Sequence, residues 1–154
     1  MTDDARLADL EARVAALEAT LGTSPDEPAP ADTGTVGYAG EVALYGEVNW
    51  RIDYSAGAAT TLPADRLASV LGALGHPARI EIVQVLLRGP RSAAELLELV
   101  DAGSKGQLYH HLGALVAANV IEKQTRGSYT VAPQKVVPAL VALLTAADIG
   151  GLLR

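Results

Sequence analysis

Between Ser92 and Asn119 the chain reads as two short helices joined by three residues, and that junction constrains the fold more than any other feature. Ser92 stands before the first helical segment, residues 93–100, and Glu95 falls at its third position, so the two form a capping box. Leu96, Leu97 and Val100 are spaced to face inward. Asp101-Ala102-Gly103 makes the turn, with glycine where a left-handed backbone costs least. Ser104 caps the second segment, whose inward stripe is Leu108, Leu112, Leu115 and Val116. Two helices meeting through a short glycine-containing turn form a helix-turn-helix.

The second helix, residues 104–118, carries Ser104, Lys105, Gln107, Tyr109 and His110 near its N-terminal end and off the apolar stripe. A recognition helix meets base edges with that end. Lysine and glutamine there can donate to major-groove acceptors, and glutamine can pair bidentately with adenine. Directly afterwards, β-branched residues alternate on both sides of Thr125-Arg126, which predicts a hairpin over 120–132. A basic hairpin in that place is a wing, with Lys123 and Arg126 set to touch phosphate or the minor groove. Upstream, Leu67, Val70, Leu71 and Leu74 predict a helix over 65–74 that stops at Gly75. Pro77 opens the next helix in the first turn, where its missing N–H costs nothing. Ile80, Ile82, Val83, Val85, Leu86 and Leu87 make that helix apolar almost all round, hence central and buried, until Gly89-Pro90. The expected fold is mainly α with a small β part (α+β), a winged helix-turn-helix over residues 63–134.

Two stretches also resemble a known family. Leu71-Gly72-Ala73-Leu74-Gly75-His76-Pro77-Ala78-Arg79-Ile80 and residues 109–121, reading YHHLGALVAANVI, are similar to the ArsR-type winged-helix repressors, in which LxALxHPxRlxIL opens the domain and SxHLxxLxxAGlI spans the recognition helix. The resemblance covers residues 65–140, about half the chain. It implies a homodimer that binds an imperfect palindrome in double-stranded DNA, an operator near a promoter, and usually represses. It places DNA reading at Ser104, Lys105, Gln107, Tyr109 and His110, with Lys123 and Arg126 in the wing. The family's metal sensors carry cysteines on the first helix of the motif or acid–histidine pairs on the C-terminal helix. Here residues 94–98 read AELLE and the helix expected over 136–148 has Asp148 as its one acid and no histidine, so no metal site is expected.

The flanks lie outside that minimal domain. Leu7, Leu10, Val14, Leu17 and Leu21 repeat at three, four, three and four, a heptad seam in residues 1–22. It predicts either a coiled coil that assists dimerisation or an amphipathic helix lying on its own domain. Residues 23–34 hold three prolines and no large apolar side chain, a linker. Over residues 35–60 the period is two: Val36, Tyr38, Val42, Leu44, Val48, Trp50, Ile52 and Tyr54 share even parity, which predicts an aromatic β-hairpin turning tightly at Tyr45-Gly46. Its apolar face must cover something. It either packs on the helical domain or a second subunit, or walls a pocket for a small-molecule effector with Tyr38, Trp50 and Tyr54. Residues 135–154, with Val136, Val137, Leu140, Val141, Leu143, Leu144 and Ile149, predict an apolar C-terminal helix suited to a dimer interface.

The formal charge of −6 conceals a division. Residues 1–33 hold eight acids and two arginines, and the rest of the chain has ten of each sign. The helix-turn-helix part is slightly basic, which permits DNA binding without arguing for it. A protein-interaction module that uses the winged helix and coiled coil without DNA is the competing reading. Cysteine is absent, so disulfides and thiolate metal sites are excluded and a reducing cytoplasm is compatible. No apolar run is long enough to span a membrane, and the acidic start does not resemble a secretory signal. His110 and His111 point about 100° apart on a helix and cannot chelate together. With no nucleophile–base arrangement, paired carboxylates or phosphate loop, neither catalysis nor a cofactor is expected.

Overall fold

The computed structural model describes residues 7, 9, 10, 12–14 and 34–153. The chain divides into two units, residues 1–33 and 34–154. In the first, Leu7, Asp9, Leu10, Ala12, Arg13 and Val14 are helical, and Leu7, Leu10 and Val14 are exposed. The rest of the expected heptad seam (Leu17 and Leu21) and the expected linker up to Thr33 lie outside the described residues.

The second unit begins with an antiparallel hairpin, β1 (Thr35–Val42) and β2 (Val48–Ser55), followed by a short helix α1 (Ala56–Thr60). Ser55 ends the strand and caps α1, its Oγ accepting from Ala58 N–H at 3.4 Å. The hairpin therefore stops at Ser55, not at residue 60. Its turn is not tight either: Val42 pairs with Val48, leaving a five-residue loop centred on Tyr45. The parity explains why. Directly paired residues of an antiparallel ladder share a face. A two-residue loop at Tyr45-Gly46 would pair even with odd positions and scatter the apolar set over both faces. An odd-length loop pairs even with even, as in Tyr38 with Ile52 and Gly40 with Trp50.

Next come α2 (Ala64–Leu74), α3 (Pro77–Leu86), β3 (Arg91–Ser92), α4 (Ala93–Leu99), α5 (Lys105–Ala117), β4 (Glu122–Lys123), β5 (Ser128–Thr130) and α6 (Pro133–Ile149). The three short strands form one antiparallel sheet in the order β3-β5-β4. This is a mainly helical fold with a small sheet and a hairpin, a winged helix-turn-helix architecture. The core lies between α3, α4 and α5, where Ile82, Val83, Leu86, Leu96, Leu108, Leu112 and Leu115 are almost fully buried. Two expected inward residues face out: Leu97 and Val116 are each more than a third exposed. On α5 the buried position is His111, because the stripe follows Leu108, His111, Leu112 and Leu115 at the i, i+3, i+4, i+7 spacing. The last helix starts two residues earlier than expected, at Pro133, and stops at Ile149.

The hairpin packs on α6. Gly40 permits the approach: a Cβ there would come within 2.8 Å of Val137 Cγ1, and Val137 is buried with little room to yield. At the tip of the loop, the Tyr45 ring lies against Gly89, where an added Cβ would stand 3.1 Å from Cδ2. Alanine in a strand is ordinarily an improvement over glycine, so the sign of Gly40→Ala reports on this contact. We expect a loss of about 1–3 kcal/mol in urea unfolding, the range for overpacking, with a shift in emission of Trp50, the cross-strand partner of Gly40. An unchanged midpoint and spectrum would mean that the hairpin is not seated on Val137.

Candidate nucleic-acid interface

Helix α5 is fixed at both ends. At its start Ser104 Oγ accepts from Gln107 N–H (3.3 Å) and Ser104 N–H donates to Gln107 Oε1 (2.8 Å), a reciprocal capping box. The matching box on α4 has Ser92 N–H and Oγ both donating to Glu95 Oε2 at 2.7 Å, and these bonds lower the Glu95 pKa. At the end of α5, Asn119 adopts φ 59°. Asn119 N–H donates to Val116 O and Val120 N–H to Leu115 O, both at 2.9 Å. That is a Schellman ending with asparagine in the left-handed position usually held by glycine. Lys135 Nζ then ties three elements together, donating to Asn119 Oδ1 (2.7 Å) and to Glu122 Oε1 (2.9 Å). The end of α5, the first wing strand and the start of α6 thus share one cation.

With Leu108, Leu112 and Leu115 buried, the opposite face of α5 is open. Lys105, Gly106, Tyr109, His110 and Gly113 are exposed along it, with Tyr109 at 48 %. Ser104 and Gln107 are exposed too, but each serves the cap. Bidentate pairing with adenine uses both ends of the glutamine amide, and one lone pair of Gln107 Oε1 is already taken by Ser104 N–H. Across the turn, Lys123 ends β4 and Arg126 sits at the tip of the wing, both exposed. The tip is closed by Gly127 N–H to Gln124 O (3.0 Å) and Gln124 N–H to Ser128 O (2.8 Å). Lys105, Lys123 and Arg126 have no ion-pair partner among the described residues.

The hairpin carries the aromatic residues named as candidate pocket walls. Tyr38 and Trp50 are half-buried on the hairpin face turned to α6, and Tyr54 at the open end is exposed. The clefts at the hairpin loop are lined by Leu44, Tyr45 and Val48, not by these three. Among the described residues, no group of three or more histidine, cysteine, aspartate or glutamate side chains could hold a metal ion, and no helix is long and apolar enough to cross a membrane.

The histidines take structural places, His111 packed at the helix–helix contact and His76 capping a helix junction, as their positions in the sequence suggest. His76 caps α3, its Nδ1 accepting from Ala78 N–H at 3.2 Å, and its ring lies 4.5 Å from that of His111. His110 meets His111 edge-on at 6.0 Å. His111 Nδ1 and Arg79 Nε are buried without hydrogen-bond partners. His111 is buried because it falls on the leucine stripe at the i+3 position from Leu108.

The helix-turn-helix domain family model matches residues 74–124, about a third of the chain, from the end of α2 to the first wing strand. Among solved structures the chain is similar to the transcriptional repressor BigR from Xylella fastidiosa, at 28 % identity over 54 % of this chain and 87 % of that one, with a TM-score of 0.44. M. tuberculosis Rv0081 is 28 % identical over 58 % of this chain and 96 % of its own, with a TM-score of 0.47. An ArsR-like transcriptional regulator from Rhodococcus sp. RHA1 is 29 % identical over 58 % and 87 %, with a TM-score of 0.42. No curated protein matches the chain.

Burial, then the positive field of His76, Arg79 and His110, lowers the His111 pKa below its ordinary value near 6.5. Below that value the unfolded chain takes up a proton that the folded chain refuses, so stability falls as pH drops through 6.5 and is recovered above it. Thermal unfolding midpoints between pH 5 and 8 should show this loss on the acid side, and His111→Gln should flatten it. An equally steep acid loss in the variant would assign the effect to other groups.

Proposed function

We propose that the protein is a sequence-specific DNA-binding transcriptional regulator, acting as a homodimeric repressor on a double-stranded operator. Helix α5 enters the major groove, and the wing touches the backbone or minor groove. One observation carries the reading: α5, capped at both ends, leaves Lys105, Tyr109 and His110 exposed on one face, and the wing that follows it has an exposed arginine at its tip. Lys105, Tyr109 and His110 supply base or phosphate contacts, and Lys123 and Arg126 hold the backbone. Ser104 acts through the cap, and Gln107 adds the free part of its amide to the base contacts.

The glycines of α5 support the same face. Added Cβ atoms at Gly106 and Gly113 would meet nothing closer than Ser104 Oγ at 3.9 Å, so no neighbour within the chain requires glycine there. Each costs roughly 0.5–1 kcal/mol of helix stability relative to alanine, which close approach of a duplex would explain. The dimer is supported by apolar surface left open on α2 (Leu67, Val70 and Leu71) and around the end of α6 (Leu144, Ile149, Leu152 and Leu153).

Selection of bound fragments from genomic DNA should yield a two-fold symmetric site with half-sites about 34 Å apart. Lys105→Ala with Arg126→Ala should reduce the slope of log affinity against log salt by about two, one for each phosphate no longer neutralised. Gly113→Ala should raise the unfolding midpoint while weakening operator binding. Unchanged operator affinity in these variants would misplace the reading surface. Failure to retain any fragment at low salt would favour a protein-interaction module on the same scaffold. By sedimentation equilibrium, Leu71→Glu should yield monomers; a wild-type monomer at micromolar concentration would remove the homodimer.

A further inference from the structure

Where the hairpin loop meets the wing, a cleft of about 270 Å³ opens between Tyr45, Pro90, Glu122, Gln124, Thr130 and Val136. It is far larger than the voids that close packing leaves in a protein interior, and it approaches the lower end of the roughly 300–1,000 Å³ common for ligand sites. Four parts of the chain contribute walls: the hairpin loop, the turn after α3, both strands of the wing, and the first turn of α6. Tyr45 stands at the mouth, with one ring edge on Gly89 and 64 % of its surface exposed.

The polar groups in the wall define the chemistry. Glu122 uses Oε1 for Lys135, leaving Oε2 open. Gln124 Oε1 accepts from Ser128 Oγ, leaving the amide N–H donors without a partner. No lysine, arginine or histidine lines the cleft. An anion would meet the open Oε2 of Glu122 with no cation in the lining, because Lys135 holds Oε1 from outside the cleft. A cation would meet that carboxylate and the face of an exposed aromatic ring, over a floor of proline and valine.

We propose that this cleft binds a small organic amine, a compact apolar body carrying one ammonium group, and that occupancy is transmitted to the recognition helix through Glu122. An ammonium on Oε2 shares the carboxylate charge with Lys135 and weakens its hold on Oε1, and the second bond of Lys135 reaches Asn119 at the end of α5. The wing strand and the end of the recognition helix therefore both respond. The site requires only this chain's fold, and its test does not use DNA, so it can fail independently of the regulator reading.

Benzylamine, with benzoate and benzyl alcohol as controls, would be titrated into the full-length ¹⁵N-labelled protein. Benzylamine should move the amide signals of Tyr45, Gln124 and Thr130, with a linked shift at Asn119, while benzoate moves none of them. Tyr45→Ala should weaken binding about tenfold with an otherwise native spectrum, and Glu122→Gln should remove the preference for amine over alcohol. Equal binding of benzoate would overturn the ligand class. Shifts centred on another surface, or none at millimolar probe, would overturn the site. Shifts in the cleft without one at Asn119 would overturn the link to α5.

Discussion

The position of α5 depends on one packed interface, the Leu108, Leu112 and Leu115 stripe in a common core with Ile82 and Leu86 of α3 and Leu96 of α4. Truncating one such leucine to alanine costs on the order of 2–5 kcal/mol, against a typical domain stability of about 5–15 kcal/mol. No other feature of the helix approaches that weight. A cap contributes about 1 kcal/mol, and each exposed glycine subtracts up to about 1. The core thus holds the helix firmly enough for its outer face to carry residues that stabilise nothing within the chain.

That ordering decides what the sequence discloses. Elements whose side chains are sorted by burial were legible: the α4–α5 junction with both capping serines, the proline start of α3, and the even-numbered apolar face of the hairpin. Residues whose placement depends on partners distant in sequence were not. The strand β3 is two residues long, and only pairing with Ser128 and Tyr129 makes it a strand. Ser92 read correctly as a cap, yet nothing local says that it also joins a sheet. Lys135 reads as a surface charge until Asn119 and Glu122, 16 and 13 residues away, come within reach. Gln107 carries two signals at once. A glutamine three residues after a capping serine is a capping-box signal, and its chemical suitability for adenine concealed that local role.

Charge follows the same division. The acidity belongs to residues 1–33, so the second unit has no net bias to attract a polyanion from a distance. What it offers is local: Lys105 at the start of α5, and Lys123 and Arg126 along the wing, each without an ion pair among the described residues. The one well-formed ion pair near them, Lys135 with Glu122, lies at the base of the wing and holds it to the helices. Cations at the tip remain free for a ligand, and the cation at the base is committed to architecture.

The hairpin then limits where a second copy could sit. It covers one face of α6 through Gly40 and Val137, and its tip is pinned through Tyr45 on Gly89. In a minimal winged domain that face of the last helix would be open for association. Here the open apolar surface includes α2, with Leu67, Val70 and Leu71, and the end of α6 beyond Leu143. The homodimer proposed above uses these two patches and leaves the hairpin seated on α6. On that proposal the dimer patches, the exposed face of α5 and the cleft beside the wing are separate surfaces built on one small core.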